Sequence, residues 1–124
     1  MTPLHLAVKT CNEPMGRLLL THGADINAKN DYGQTALHIA AEADMAVMHL
    51  LLEHGASLDV KDANGKTVLH LAAECSSKEI VKLLLEQRAD KNAVDKHGKT
   101  PLDGAIQLKK EEIVWLFDFQ KPLG

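Results

Sequence analysis

Histidines are the first candidates for chemistry in this 124-residue chain, because imidazole nitrogens bind zinc and transfer protons. Three of the seven, His5, His38 and His70, recur at intervals of 33 and 32 residues. This spacing indicates a repeating structural unit that carries one such histidine each time. Stacked helical units lie about 8–10 Å apart, whereas zinc ligands lie about 2 Å from the metal. Histidines from successive units therefore cannot form one site. We therefore predict no metal site and expect each histidine to bind a backbone group of a neighbouring loop. Because that role favours a neutral ring, stability is expected to decrease below about pH 6.

The other reactive side chains show no catalytic arrangement. Cys75 lacks a histidine at a spacing typical of a Cys–His nucleophile. Glu111 and Glu112 are adjacent and therefore point in different directions on a helix. The chain contains neither a phosphate-binding loop nor a dinucleotide-binding motif. The sequence thus predicts a protein that is not an enzyme and requires no cofactor.

Composition and charge narrow the possible partners and compartments. Hydrophobic residues make up 45% of the chain but only four residues are aromatic, which suits closely packed helices. The net charge is −3, with −4 in residues 1–60 and +1 in residues 61–124, and this argues against nucleic acid, which needs a basic patch. No apolar run approaches a membrane span, and the N-terminus lacks a signal-peptide pattern. With two cysteines in different units, we expect an intracellular, cytoplasmic protein, with the nucleus as the alternative.

The three histidines belong to a hexapeptide that the chain repeats. It reads TPLHLA from Thr2, TALHIA from Thr35, TVLHLA from Thr67 and TPLDGA from Thr100. A leucine triplet and a glycine-containing turn recur in phase with it, which indicates units of 32 or 33 residues. Each threonine is predicted to cap a short helix. The leucine triplet is predicted to lie in a second helix, and the glycine turn in a β-hairpin-like loop.

Two departures concern the second helices. Arg88 stands where the other units have Gly23 and Gly55, and a left-handed backbone at this arginine would cost on the order of 1 kcal/mol. Pro14 is tolerated only in a first helical turn, so the second helix of the first unit should begin at about Glu13.

Two more departures concern the second and fourth units. The second unit is one residue short, and we place the shortening between its helices at about residues 44–46. In the fourth hexapeptide, Asp103 and Gly104 replace the usual histidine and leucine, and the glycine is expected to weaken its helix by about 1 kcal/mol.

This combination of hexapeptide, period and phase resembles the ankyrin repeat family, whose motif includes T-P-L-H-x-A. The resemblance extends from Thr2 to about Phe117 and implies an all-α repeat solenoid, a stack of four helix-turn-helix units with projecting β-hairpin loops. We expect one domain over residues 1–124, with repeats at about 1–34, 35–66, 67–99 and 100–124.

The resemblance also implies a function, since ankyrin repeat proteins overwhelmingly bind other proteins and are rarely enzymes. We expect a non-catalytic protein–protein interaction scaffold that binds its partner through the loop tips and the concave face of the first helices. The alternative is a regulatory or targeting segment of a larger multidomain protein whose enzymatic domain is absent from this chain.

In similar ankyrin proteins, loop tips and the ends of first helices line the groove that binds partners. In this chain the residues at those positions change from unit to unit, unlike the positions that packing and turns require. Carried over by position, the candidate partner-binding residues are Lys9, Asp31, Tyr32, Gln34, Glu42, Asn64, Lys66, Glu74, Lys96, His97, Lys99 and Gln107. Tyrosine is enriched in binding hot spots, so Tyr32 is the first choice for one. The alternative is that Tyr32 packs on the neighbouring loop.

These side chains favour a protein or peptide partner over nucleic acid, a membrane or a small-molecule substrate. The lysines at the third tip would complement an acidic partner segment, and Glu42 and Glu74 would complement a basic one. By resemblance alone, Asn27 and Asn92 are candidate substrates of an asparaginyl hydroxylase.

The ends of the chain carry two further expectations. We expect a monomer that is a segment of a longer repeat array. The last helix carries three aromatic residues, Trp115, Phe117 and Phe119. Because these residues are apolar, the alternative to a monomer is a chain that associates through exposed terminal repeats. The alternative for the end itself is that residues 115–124 fold back as a cap.

Overall fold

The structure, a computed structural model, describes residues 2–75 and 78–119. Within these ranges the chain forms eight α-helices in four consecutive pairs, which confirms the predicted all-α repeat fold. We call the pairs units one to four. The helices are α1 (Pro3–Lys9), α2 (Glu13–Thr21), α3 (Ala36–Ala40), α4 (Met45–Glu53), α5 (Val68–Glu74), α6 (Lys78–Glu86), α7 (Pro101–Gln107) and α8 (Glu111–Phe119).

The first helix of every unit begins after a threonine, as predicted. The Thr2 hydroxyl accepts the His5 backbone N–H at 3.3 Å, and the Thr35 hydroxyl accepts that of His38 at 3.5 Å. A hydroxyl cap of this kind contributes about 1 kcal/mol to helix stability. In unit four, Asp103 replaces the histidine and still completes the cap, since its Oδ2 accepts the Thr100 backbone N–H at 3.0 Å.

The short second unit is explained by a missing left-handed residue. In units one and four, Cys11 (φ 58°) and Lys109 (φ 59°) follow the first helix and turn the chain towards the second. Unit two has no such residue, and α3 has five residues where α1 has seven. Asp44 caps α4 as Asn12 caps α2, and both second helices have nine residues. The residue is therefore lost between the two helices, as predicted, but before Asp44 and not within residues 44–46.

The two expectations about the second helices are confirmed. α2 begins at Glu13, with Pro14 in its first turn. Arg88 adopts a left-handed conformation, φ 66°, like Gly55 at φ 79°. This conformation disfavours every residue with a Cβ, so unit three is locally strained at Arg88.

Aliphatic and alanine side chains fill the interfaces between successive units. At the sixth residue after the capping threonine, Val8, Ala41 and Ala73 are fully buried. The second helices approach just as closely. A Cβ added to Gly16 would lie 3.0 Å from Cδ2 of Leu50 in the next unit. A small residue at position 16 is thus needed for the close stacking of the second helices.

The last helix contributes to the core on one side only. Phe117 is 3% exposed and belongs to the core, whereas Trp115 on the same helix is 56% exposed. Phe117 is therefore an internal packing residue, whereas Trp115 is not. The predicted cap over residues 115–124 falls partly outside the described residues, as does the Phe119 side chain.

Candidate protein-interaction surface

Each pair of neighbouring units is joined by a tight projecting turn, which we call a finger. Finger one comprises residues 30–34, finger two residues 62–66 and finger three residues 95–99. In finger one the Asn30 side chain accepts the backbone N–H groups of Tyr32 at 2.9 Å and Gln34 at 3.0 Å. Asp62 and Asp95 make the same pair of bonds in the other fingers. Each finger is hairpin-like, but no β-strand forms in the described ranges.

The pKa of the aspartate in finger three reflects the hydrogen bonds that its carboxylate accepts within the turn. Asp95 is buried, and desolvation alone would raise its pKa. The backbone N–H groups of Lys99 and His97 donate hydrogen bonds to the carboxylate. These bonds stabilise the charged form, and the pKa of Asp95 is lowered overall. One carboxylate oxygen, Oδ1, therefore shapes the finger by accepting both N–H groups.

Successive fingers lie in direct backbone contact. The Ala63 N–H donates to the Tyr32 carbonyl at 2.9 Å, and the Lys96 N–H donates to the Asn64 carbonyl at 3.0 Å. Gly33 and Gly65 permit this approach, because a Cβ at either position would lie 2.8 Å from the backbone nitrogen of the next finger. Both glycines also have positive φ, 74° and 76°. The fingers thus form one connected row.

The repeated histidines fix this row to the helices. Nε2 of His5 bonds the Gln34 carbonyl at 2.8 Å, that of His38 the Lys66 carbonyl at 3.0 Å, and that of His70 the Lys99 carbonyl at 2.9 Å. All three rings are buried. The predicted bond from histidine to a backbone group of the neighbouring loop is confirmed in each case.

The second ring nitrogen of each histidine completes the helix cap. Nδ1 of His38 accepts the Thr35 backbone N–H at 3.1 Å, and Nδ1 of His70 accepts that of Thr67 at 3.0 Å. A nitrogen that accepts from an N–H carries no proton, and a nitrogen that faces a carbonyl must carry one. The geometry therefore requires the neutral ring with its proton on Nε2. Desolvation by burial lowers the pKa of His38, which agrees with this state.

Two open grooves lie between the fingers and the first helices. Groove one has a volume of about 400 Å³ and groove two about 520 Å³. The predicted residues that line groove one are Lys9, Tyr32, Gln34 and Glu42. Those that line groove two are Asn64, Lys66, Glu74, Lys96, His97, Lys99 and Gln107. Asp31 is exposed but lines neither groove.

The first candidate for a hot spot lies on the rim of groove one. The Tyr32 side chain is 72% exposed, and the contact of Tyr32 with finger two is made by its backbone carbonyl. The tyrosine ring therefore remains accessible to a partner. Ile39 and Ala43 add apolar surface to the same groove.

Groove two contains contacts that span it from finger to helix. Lys66 Nζ lies 2.7 Å from Glu74 Oε1, and the corresponding Lys99 and Gln107 side chains are also hydrogen-bonded. The hydrogen bond to Glu74 is the main cause of the raised pKa of Lys66. Residues eight apart in the sequence meet here because a finger folds back over the helix that follows it. Lys66 and Glu74 are thus already each other's partners before any other protein binds.

The charge left over in groove two is positive. Its two carboxylates are engaged, that of Asp95 within finger three and that of Glu74 with Lys66. Lys96 and His97 are exposed at the same tip. Groove one carries Lys9 and Glu42 and has no comparable excess. The two grooves therefore offer a partner different chemistry.

The thiol on this surface is poorly suited to nucleophilic chemistry. Desolvation, followed by the charges of Glu42 and Glu74, raises the pKa of Cys75 to about 11. A nucleophilic cysteine needs the opposite shift, towards the thiolate. In the described part of the chain, no three His, Cys, Asp or Glu side chains are placed to hold a metal ion.

Sequence reasoning missed several residues that build the surface. Asn30, Asp62 and Asp95 each stand five residues before a capping threonine, so this spacing was a usable signal. Lysine ammonium groups also connect the residues that directly precede successive fingers, with Lys29 Nζ 3.4 Å from the Lys61 carbonyl and Lys61 Nζ 3.0 Å from that of Val94. Nothing in the sequence distinguishes these lysines from solvated ones.

The candidate modification sites differ in their surroundings. The Asn27 side chain accepts the Ser57 backbone N–H at 3.1 Å and so connects two units. Asn92 is exposed, and its backbone N–H bonds the Asp90 side chain at 2.9 Å. Hydroxylation of either asparagine stays a prediction.

Comparison with known proteins gives two matches. A family model described as ankyrin repeats (3 copies) matches residues 1–62 and 46–119. A segment of 41 residues is 56% identical to the B-cell lymphoma 3 protein homolog of Mus musculus, and it makes up 33% of this chain and 9% of that protein. The chain thus matches a small part of this relative's length. None of the helices in the described ranges is long and apolar enough to cross a membrane.

Proposed function

This chain belongs to the ankyrin repeat family, and from that premise we propose that it is a non-catalytic scaffold that binds a protein partner through grooves one and two. Ankyrin repeats are generally protein-interaction modules. The binding face is an assignment of our own, made from the side chains that line the two grooves.

One observation carries the proposal. Gln34, Lys66 and Lys99 bind the buried histidines through their backbone carbonyls, while their side chains line the grooves. The backbone under each groove is therefore fixed by the fold, whereas the side chain is left to vary without disturbing it. A preformed surface of this kind binds with a small cost in conformational entropy.

The chemistry of the grooves narrows the kind of partner. The exposed cations of groove two, Lys96 and Lys99 with His97 beside them, favour an acidic segment. In groove one, Tyr32 and Ile39 favour an apolar or aromatic side chain of the partner, next to that acidic segment. A peptide that lies along the row of fingers would contact both grooves.

A capture experiment with identified partners tests the assignment. We expect the Tyr32→Ala, Lys66→Ala, Lys99→Ala triple variant to recover the wild-type partners at least tenfold less, since a loss of about 1.4 kcal/mol lowers affinity tenfold. Partners would be identified and quantified by mass spectrometry and then tested as purified proteins. Circular dichroism would establish that the variant is folded.

A matched variant on the second helices provides the control. His49, Lys82 and Glu86 are exposed and line neither groove. The His49→Ala, Lys82→Ala, Glu86→Ala variant should recover the same partners as the wild type. Equal recovery by both triple variants would overturn the assignment of the grooves, and loss with the control alone would move the binding face to the second helices.

A further inference from the structure

In units three and four, a lysine of the finger is bonded to the end of the helix that follows it. Lys66 Nζ lies 2.7 Å from Glu74 Oε1, and the Lys99 ammonium group is hydrogen-bonded to the Gln107 side chain. In each case the lysine stands directly before the capping threonine, and its acceptor stands eight residues further on. A cation on the finger is thus a regular partner of an acceptor at the helix end.

Unit two has the acceptor but not the cation. Glu42 corresponds to Glu74, whereas Gln34 stands at the position of the two lysines. The Gln34 side-chain oxygen accepts the Asn30 amide at 3.2 Å, so this side chain is held within finger one. Glu42 is therefore an exposed carboxylate just after α3 that lacks the cation bonded to its equivalent.

The contact that Glu42 does make leaves its charge uncompensated. In the described part of the chain, its carboxylate interacts with the Cys75 thiol, which stays protonated at neutral pH because its pKa is raised to about 11. A thiol is a weak hydrogen-bond donor. Lys9 lines the same groove, but within the described residues it is not ion-paired with Glu42. The carboxylate can therefore accept stronger hydrogen bonds from a cation.

The rest of groove one suits one cation in particular. Tyr32 contributes an aromatic ring and Ile39 an apolar side chain to the groove that holds Glu42. A guanidinium group binds a carboxylate through two parallel N–H bonds and also stacks on aromatic rings. The aliphatic stem of an arginine packs on apolar surface such as that of Ile39. Groove one thus combines the three kinds of contact that an arginine side chain makes.

We propose that an arginine side chain of the protein partner occupies groove one and binds Glu42, as Lys66 binds Glu74 within the chain. This inference rests on the proposed binding role of the grooves and adds the chemistry of one partner residue. Glu42 belongs to unit two, and the cations of finger three lie beside unit four. Two unit spacings are about 16–20 Å, which an extended chain covers in about five or six residues. The partner segment therefore carries its arginine five or six residues from its acidic residues.

Titration of the isotope-labelled 124-residue chain with N-acetyl-arginine amide tests the arginine site directly. At constant ionic strength, amide NMR should show saturable shifts centred on Tyr32, Ile39, Glu42 and Ala43. N-acetyl-citrulline amide has nearly the same shape without the charge. Its affinity should be lower by about fivefold or more, which corresponds to about 1 kcal/mol.

Two variants remove the site in different ways. Glu42→Gln removes the charge, and Gln34→Lys supplies an internal cation that copies Lys66 and competes with the arginine. Each should lower the affinity for the arginine probe by about fivefold or more. Glu86→Gln is the matched control, because Glu86 is an exposed carboxylate that lines neither groove. It should bind the probe like the wild type, and thermal melts would establish that every variant is folded.

Three results would overturn the proposal. Equal shifts with the arginine and citrulline probes would show that groove one does not recognise the charge. Unchanged affinity in Glu42→Gln would assign the arginine probe to another carboxylate. A wild-type chain without saturable shifts in groove one would exclude arginine as the occupant.

The capture experiment separates these failures from a failure of the proposed function. Capture that depends on the grooves, together with a chain that does not bind the arginine probe, would refute this inference alone. Equal capture by both triple variants, together with an arginine site at Glu42, would refute the protein-binding role of the grooves and leave the site itself in place.

Discussion

The two sides of each finger differ in their contacts, although the same residues form both: the buried side makes the same hydrogen bond in every finger, and the open side does not. On the buried side, the carbonyls of Gln34, Lys66 and Lys99 accept hydrogen bonds from three identical histidines. On the open side, the side chains of these residues differ, and each meets a different neighbour. The fold therefore constrains the backbone of each finger and leaves its side chains free to vary.

In unit four the buried histidine is replaced by Asp103. Asp103 keeps the capping bond to Thr100, but an aspartate is too short to reach a following finger as well. The histidine therefore combines two separable roles, capping its own helix and holding the next finger.

The largest expected effect is on the buried side. His38→Ala leaves the Lys66 carbonyl and the Thr35 N–H without their buried partner, and it opens a cavity. We expect the free energy of unfolding to decrease by about 3 kcal/mol. Urea denaturation measures this difference. His97→Ala is the matched control, because the His97 side chain is exposed and should change stability little.

A second variant separates the two roles of the histidine. His38→Asn retains a side-chain acceptor for the cap but cannot reach the next finger. It should recover about 1 kcal/mol of the loss caused by His38→Ala. Equal stability of the two variants would show that the cap contributes nothing measurable at this position.

The pH dependence of stability tests the neutral state of His38. Its pKa is lowered in the folded chain, chiefly by desolvation, so the unfolded chain binds the proton at higher pH. The stabilisation is complete above about pH 6.5, the ordinary histidine value, and is lost as the pH decreases from there towards the folded pKa. The loss cannot exceed about 1.4 kcal/mol per pH unit for one group.

The other histidines also titrate, so the measurement is a difference. Unfolding free energies of the wild type and of His38→Asn would be compared from pH 7.5 to 5. The advantage of the wild type should shrink as the pH decreases. An advantage that stays constant across this range would contradict a neutral, buried His38.

The smallest expected effect is on the open side. The Lys66–Glu74 pair is half-buried, and a double-mutant cycle with alanine should give a coupling of about 0.5–1 kcal/mol. The more exposed Lys78–Glu112 pair, with a distance of 3.6 Å, is the control and should show less. A coupling as large as the effect of His38→Ala would erase the distinction between the two sides of the finger.

Local features of the fold were readable from the sequence because they depend on residues close together in the chain. Thr35 and His38 are three residues apart, and this spacing alone predicts a cap. The left-handed conformation of Arg88 followed from its alignment with two glycines. The missing residue of unit two was misplaced because the sequence does not show which residue of a loop adopts positive φ.

Contacts on the surface were not readable in the same way. Positions 66 and 74 were each predicted to face a partner, but the sequence could not show that they pair with each other. That contact depends on how far a finger folds back over the next helix, which is set by backbone contacts with two neighbouring units.

The sequence by itself determined the unit, its helices and its buried histidines, since each is specified by a short pattern repeated in phase. Only the tertiary structure decided which variable side chains share a groove and which carboxylates are already engaged. The physical reason is that a repeat pattern encodes contacts within a unit and with its neighbours, whereas the character of a surface depends on what the rest of the stack leaves uncovered.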